Sequence, residues 1–145
     1  MRAKFGLDTS CLVALLAEWH PRHKLTMSGY EERLAAGQRV VIAAHALLET
    51  FAVLTRLPGP VRTTPRTAEE ILRLNFRERA EICRLEADDC WEALGSLARA
   101  GIGGGRLYDA VIALATHRAG ASVLLTWNTK DMILVAPPGL EIREP

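Results

Sequence analysis

Short apolar runs alternate along this chain with longer stretches of helical period. Ala3-Lys4-Phe5-Gly6-Leu7 reads as a buried strand, and Asp8-Thr9-Ser10 then offers an N-cap for a helix over Leu12 to Trp19. His20-Pro21 breaks that helix, and a second spans residues 22 to 36, ended near Gly37. Arg39 to Ala43 reads as a second strand and residues 44 to 56 as a third helix. Leu57-Pro58-Gly59-Pro60 stops it, leaving an ordered loop or a flexible tip up to Pro65. Thr67-Ala68-Glu69-Glu70 predicts a capped helix start, with the helix running to about Arg79. Glu81 to Leu85 is a candidate third strand, and Ala87 to Arg99 is helical up to Gly101. Gly103-Gly104-Gly105 leads into a helix over 106 to 118, ended by Gly120. Ser122 to Thr126 predicts the fourth strand and Leu140 to Arg143 an edge strand. Strands alternating with helices imply an α/β fold, a mostly parallel sheet of four to five strands covered on both faces.

Composition narrows the class. A chain of 145 residues fits one domain, and 49% hydrophobic residues supply a core. The formal net charge of +1 excludes a broad basic field of the nucleic-acid-binding kind, though not a local one. Lys4, Lys24 and Lys130 are the only lysines, so arginine carries the positive charge. Arginine suits phosphate through its bidentate fork, and a base-composition habit explains it equally well. Cys11, Cys83 and Cys90 have no metal or disulfide spacing and are expected as core thiols in a reducing compartment. The apolar run Cys11 to Ala17 is too short to span a membrane and lacks the basic start of a signal peptide. The expectation is a cytoplasmic protein.

The chemistry lies in acids placed at the ends of apolar elements. Asp8 closes the first strand, Glu49 interrupts Ala46 to Leu54, Asp109 interrupts Leu107 to Leu114, and Asp131 follows the fourth strand. Singly, Asp8 is an N-cap, Asp109 an acid suited to a helix dipole, and Asp131 a surface turn acid. Glu49 shares a helical face with His45, Val53 and Arg56, and Arg56 is a candidate partner for it. Collectively they fall where ligands of such folds gather, outside the carboxyl ends of the strands. Two like charges about 4 Å apart cost on the order of 4 kcal/mol at an effective dielectric near 20. Several carboxylates at one site therefore call for a cation, and hard oxygens favour Mg²⁺ or Mn²⁺ over zinc. Such an ion activates water and stabilises charge on phosphate, which points to metal-dependent phosphoester chemistry.

Leu7-Asp8-Thr9-Ser10, Leu48-Glu49, Gly104-Gly105-Arg106-Leu107-Tyr108-Asp109-Ala110-Val111-Ile112-Ala113 and Leu125-Thr126-Trp127-Asn128-Thr129-Lys130-Asp131 follow one another in the order of a known family. In these residues the chain resembles the PIN-domain nucleases, and most of all the VapC-type toxins of bacterial toxin–antitoxin pairs. The resemblance implies a three-layer α/β/α fold and a Mg²⁺- or Mn²⁺-dependent endoribonuclease acting on RNA. It also implies a VapB-like antitoxin, whose basic segment would enter the acidic pocket, and commonly a homodimer. Asp8, Glu49 and Asp109 match the family's three main acids. Thr9 and Ser10 match the hydroxyl residues that orient the first, and Thr126 is similar after the fourth strand. Asn128, an amide, stands at the fourth acid position, and Asp131 compensates for its missing charge. The number of metal ions stays open.

Other features divide between functional and plain roles. The glycine run lacks the Gly-Lys-Ser/Thr of a phosphate loop and serves a tight entry into the helix of Asp109. Arg106 either offsets the acids or caps the surface. Trp127 either stacks on a base or closes the core, the second being favoured. Arg56, Arg62 and Arg66 form either an RNA-steering arm or a solvated loop. His20, His23 and His117 are expected at the surface, and His45 as a structural or supporting residue beside Glu49. Two rival functions remain: a phosphatase or phosphotransfer domain with Asp8 as nucleophile, and an inactive acidic pocket that docks a basic partner. The former lacks its second acid, since Ser10 stands two residues after Asp8.

Overall fold

A computed structural model describes residues 2–145 of the chain. Five strands form one sheet: β1 (Lys4–Leu7), β2 (Arg39–Ala43), β3 (Glu81–Cys83), β4 (Val123–Leu125) and β5 (Glu141–Arg143). Their order is β3-β2-β1-β4-β5, and every pairing is parallel. Successive strand residues point to opposite faces. Phe5 to Leu7, Val40 to Ala43 and Val123 to Leu125 are nevertheless all buried, so neither face of the central strands is open to water. That is the reason these strands read as continuous apolar runs rather than alternating ones.

The connections are helical: α1 (Thr9–Leu16), α2 (His23–Ala35), α3 (Ala44–Arg56), α4 (Pro65–Phe76), α5 (Ala87–Ala100), α6 (Arg106–Arg118) and α7 (Thr129–Val135). The α/β architecture matches the expectation, and several boundaries move. Helix α1 begins at Thr9 because Asp8 caps it, and it stops at Leu16 rather than Trp19. Helix α4 begins at Pro65 because Thr64, not Thr67, is the cap, and proline fits the first helical turn, where its missing N–H costs nothing. The expected loop before it contains a single 3₁₀ turn, Gly59–Val61. Strand β3 ends at Cys83. Asp131 lies in the first turn of α7, not in a surface turn. Of the thiols, Cys11 is buried, Cys83 half-buried and Cys90 exposed, so the last is not a core residue.

Two local features position the site. Strand β1 pairs with β2 on one side and β4 on the other, so the chain's winding reverses at β1/β4. Open α/β sheets form their ligand crevice at that reversal, beyond the carboxyl ends of the strands. The Asp8 N–H donates to the Leu125 carbonyl at 3.1 Å, which ties the ends of β1 and β4 together. Gly6 lets α6 sit tightly on β1: a Cβ there would lie 2.4 Å from Thr116 Cγ2. That contact sets the height of α6, and with it the place of Asp109.

Candidate active site

Asp8 is the centre of a hydrogen-bond network at the β1/β4 crevice. Its Oδ1 accepts from Ser10 Oγ at 2.6 Å and from the Cys11 N–H at 3.0 Å, the second being the helix cap. Its Oδ2 accepts from Thr126 Oγ1 at 2.5 Å. Thr126 Oγ1 in turn accepts the Asn128 N–H at 2.9 Å, which orders the start of α7. Only 3% of Asp8 is exposed. Burial raises its carboxyl above the ordinary value, against the pull of the Ser10, Thr126 and Cys11 donors. A carboxylate offers about four lone-pair sites. Two on Oδ1 and one on Oδ2 are engaged, which leaves one on Oδ2.

Asp109 stands in the first turn of α6, where the helix dipole favours a negative charge. Its carboxyl is nevertheless raised above the ordinary value. Burial is the largest cause, followed by the charges of Asp8, Glu49 and Asp131, with Arg106 pulling the other way. The four acids thus share one electrostatic neighbourhood around Asp109, although Asp8 comes from the β1–α1 junction and the others from α3, α6 and α7. Glu49 lies half-buried on α3, with its Oε2 3.6 Å from His45 Nε2. The His45 ring stacks flat on Tyr108, with centroids 4.9 Å apart. Asn128 is exposed at the start of α7, and its side chain makes no capping hydrogen bond. Among the described residues, no three His, Cys, Asp or Glu side chains close into a ready metal cage.

The supporting residues divide. Ser10 and Thr126 hold Asp8 as expected, but Thr9 does not: its buried Oγ1 has no hydrogen-bond partner. Arg106 opens α6 and its charge acts on Asp109. Arg56 does not pair with Glu49 and is exposed at the end of α3. Arg62 Nε donates to the Leu57 carbonyl at 2.7 Å, and Arg66 faces Glu70 at 3.6 Å. None of these three lines the cleft beside Glu49. Trp127 is half-buried against the core, and its Nε1 donates to Thr26 Oγ1 at 2.9 Å. The histidines expected at the surface are all half-buried. His20 Nδ1 accepts the Arg22 N–H, His23 Nδ1 lies 2.9 Å from the Ala14 carbonyl, and His117 Nδ1 is buried without a partner.

Sequence reasoning missed Arg22 and Thr26. Arg22 lies over the Trp127 ring at 4.5 Å from its centroid. With Ser10, His20, Glu49, Trp127 and Asn128 it lines a cleft of about 380 Å³. Thr26 and Trp127 are 101 positions apart, so no local pattern signals their contact.

Fold and crevice define an α/β protein with an acidic site at the reversal of its strand order, and comparison with known proteins places that class. The PIN domain family model matches residues 6–134, and the chain belongs to that family. Ribonuclease VapC27 of Mycobacterium tuberculosis is 36% identical over 121 residues, covering 82% of this chain and 82% of its own length. Ribonuclease VapC40 of the same organism is 34% identical over 129 residues, covering 86% and 84%. Among solved structures, Mycobacterium tuberculosis VapC20, described as a Sarcin-Ricin loop cleaving toxin, is similar at a TM-score of 0.67 and 22% identity. It covers 92% of this chain and 99% of its own. The VapBC2 structure from Rickettsia felis, bound to a DNA fragment from their promoter, gives 0.69 and 20% over 98% of each chain. At those identities the structures speak for the fold.

Proposed function

We propose that this protein is a VapC-type toxin, an endoribonuclease that hydrolyses RNA phosphodiester bonds with the help of Mg²⁺ or Mn²⁺. The observation that carries the reading is that Asp8, Glu49 and Asp131 all bear on Asp109: burial is the first cause of its raised proton affinity, and the charges of these three acids raise it further. Like charges stand apart until a cation offsets them, and the donors are hard oxygens throughout. The residues therefore fit a divalent ion. Asp8, through the free lone pair of Oδ2, and Asp109 would hold it, with Glu49, Asn128 and Asp131 completing the set. Once bound, the ion would supply an activated water and charge stabilisation at phosphorus.

The chain's own groups do the rest. Ser10, Thr126 and the Cys11 N–H fix the Asp8 carboxylate in one orientation. Glu49 would either join the ligands or orient the attacking water; in the second role its carboxylate would take the water's proton as the oxygen adds to phosphorus, while the bond to the leaving oxygen breaks and that oxygen takes a proton from solvent. Asp8 as a nucleophile is not favoured, because both its oxygens accept hydrogen bonds and it is almost wholly buried. No helix among the described residues is long and apolar enough to cross a membrane. A VapB-like antitoxin with a basic segment aimed at the acids, and a homodimeric toxin, complete the proposal. The VapBC complexes among the structural relatives support the partner. Cleavage of a fluorescent RNA in Mn²⁺, abolished by EDTA, is the expected result. An RNA left intact by pure protein in Mn²⁺ would refute the reading.

A further inference from the structure

An RNA strand entering this site meets a cluster of carboxylates, and its own backbone is an anion at every nucleotide. Binding next to Glu49 and Asn128 needs a fixed positive charge close by. Arg62 and Arg66 are spent on Leu57 and Glu70, and Arg106 stands beside Asp109. Among the described residues Arg22 is the one arginine that lines the cleft with Glu49 and Asn128. Among the described residues its guanidinium makes no ion pair and no hydrogen bond; only its main chain is engaged, the N–H donating to His20 Nδ1 at 3.1 Å and the carbonyl accepting from Thr26 Oγ1 at 2.7 Å.

The arginine is also held in place. Its guanidinium lies 4.5 Å from the Trp127 ring centroid, a cation–π distance. Trp127 is fixed at two points: its indole Nε1 donates to Thr26 Oγ1 at 2.9 Å, and its main-chain N–H donates to Ser10 Oγ at 3.0 Å. Ser10 Oγ donates onward to Asp8 Oδ1. One chain of contacts therefore sets the guanidinium in register with Asp8. The guanidinium covers a face of Trp127, so the cleft presents planar N–H donors rather than an open ring. That favours a phosphate over a stacked base. Thr9, whose buried hydroxyl has no partner, lines the same cleft.

We propose that Arg22, laid on Trp127, forms a phosphate-binding subsite for the single-stranded RNA backbone flanking the bond that is cut. The proposal rests on the ribonuclease reading above. Removing one phosphate contact to a single strand lowers the slope of log K against log salt by about 0.7. Charged hydrogen bonds of this kind make an affinity loss of about tenfold the expected size.

The test measures kcat and KM on a labelled single-stranded RNA in Mn²⁺, and the salt dependence of binding to the same RNA in EDTA, for wild type, Arg22→Gln, Arg22→Lys and Arg84→Gln. Arg84 is exposed, paired with Glu86 and not among the residues that line the cleft, and serves as the control. Arg22→Gln is expected to raise KM about tenfold with kcat within about twofold, and to lose about 0.7 of the salt slope. Arg22→Lys is expected to keep the slope and recover only part of the affinity, because it keeps the charge and loses the planar fork. Thermal melts monitor folding, and Arg22→Lys carries the test should Arg22→Gln fold poorly. Wild-type KM and salt slope in a folded Arg22→Gln, or Arg22→Lys no weaker than wild type, would overturn the subsite. Failure of the wild type itself to cleave RNA would instead strike the ribonuclease reading, and the subsite with it.

Discussion

Replacing Gly6 with alanine tests whether the contact between β1 and α6 sets the active site. Gly6 lies in the central strand, paired to Val41 and Leu124. An added Cβ would stand 2.4 Å from Thr116 Cγ2 and 3.1 Å from Leu124 Cδ1. The first is about 1 Å short of ordinary contact. Thr116 cannot swing aside freely: it is fully buried, and its Oγ1 donates to the Ile112 carbonyl at 2.7 Å. The strain therefore passes to the helix, which has to lift from the sheet. Overpacking of this kind costs about 1–3 kcal/mol. Alanine recovers about 0.5–1 kcal/mol through the less flexible unfolded chain. A net loss of about 1–2 kcal/mol is expected, or a fall in Tm of roughly 2–8 °C for a chain of this size.

The lift also moves Asp109, two turns up the same helix from Thr116. A misplacement near 1 Å can cost about a hundredfold in rate, so a tenfold or greater loss of kcat is expected. Thr116→Ser removes Cγ2 and keeps the hydroxyl that bonds Ile112. Combined with Gly6→Ala, it is expected to restore both Tm and kcat toward the Thr116→Ser value, a coupling of about 1–2 kcal/mol. Circular dichroism melts and the RNA cleavage assay read the cycle. A single mutant within about 0.5 kcal/mol of wild type, or a double mutant with no coupling, would refute the argument that this contact sets the height of α6.

Four further outcomes are expected. Asp8→Asn and Asp109→Asn each abolish Mn²⁺-dependent cleavage while the melt stays cooperative; full activity in either would remove that residue from the site. Asn128→Asp tightens Mn²⁺ binding by isothermal titration, because it adds a formal charge at an exposed cleft position; unchanged affinity would place Asn128 outside the ligand set. Asp8 and Asp109 both have folded values raised above the ordinary 3.8, so the folded state keeps protons that the unfolded state releases. Their contribution is full below the ordinary carboxylate value and lost as pH rises through the raised folded values. In EDTA the Tm is therefore expected to fall across that window less steeply in Asp109→Asn than in wild type, and identical slopes would contradict it. Finally, Mn²⁺ and a synthetic Arg- or Lys-bearing antitoxin peptide are each expected to raise the wild-type Tm and to compete, by about 2.7 kcal/mol at a hundredfold excess over Kd. A Tm indifferent to Mn²⁺ would argue that no metal site assembles.

The parts of this molecule legible in sequence are those where local pattern and tertiary role agree. The central strands read clearly because burial on both faces makes them uniformly apolar, as in Val40 to Ala43. Asp8, Glu49 and Asp109 stood out for the opposite reason, each being an acid set in an apolar run. Helix α7 was missed because Thr129 to Val135 is only two turns long and begins on an uncapped Asn128. The start of α4 was misread because Thr64 and Thr67 are both plausible caps, and only the hydrogen bond from the Thr67 N–H to Thr64 Oγ1 decides between them. Arg22 and Thr26 carried no signal at all. Their roles depend on Trp127, which the fold brings to them from the other end of the chain.

The network around Asp8 orients that carboxylate without neutralising it. Three donors reach its oxygens, and all are neutral hydroxyl or amide groups. Burial still outweighs them, so the proton affinity of Asp8 stays raised. Asp109 has the help of a helix N-terminus and of Arg106, and it too stays raised. An ion-paired core acid is built the other way, with a buried cation that lowers its proton affinity. Here the basic groups stand at the rim, Arg106 on α6 and Arg22 over Trp127. Such a layout holds the carboxylates in fixed positions at a cost in stability and leaves their charge for something else to satisfy. A divalent ion or the cationic side chain of a partner would each meet that need, and by occupying the same place each would exclude the other. Catalysis and inhibition would then share one physical origin, the uncompensated charge at the end of β1.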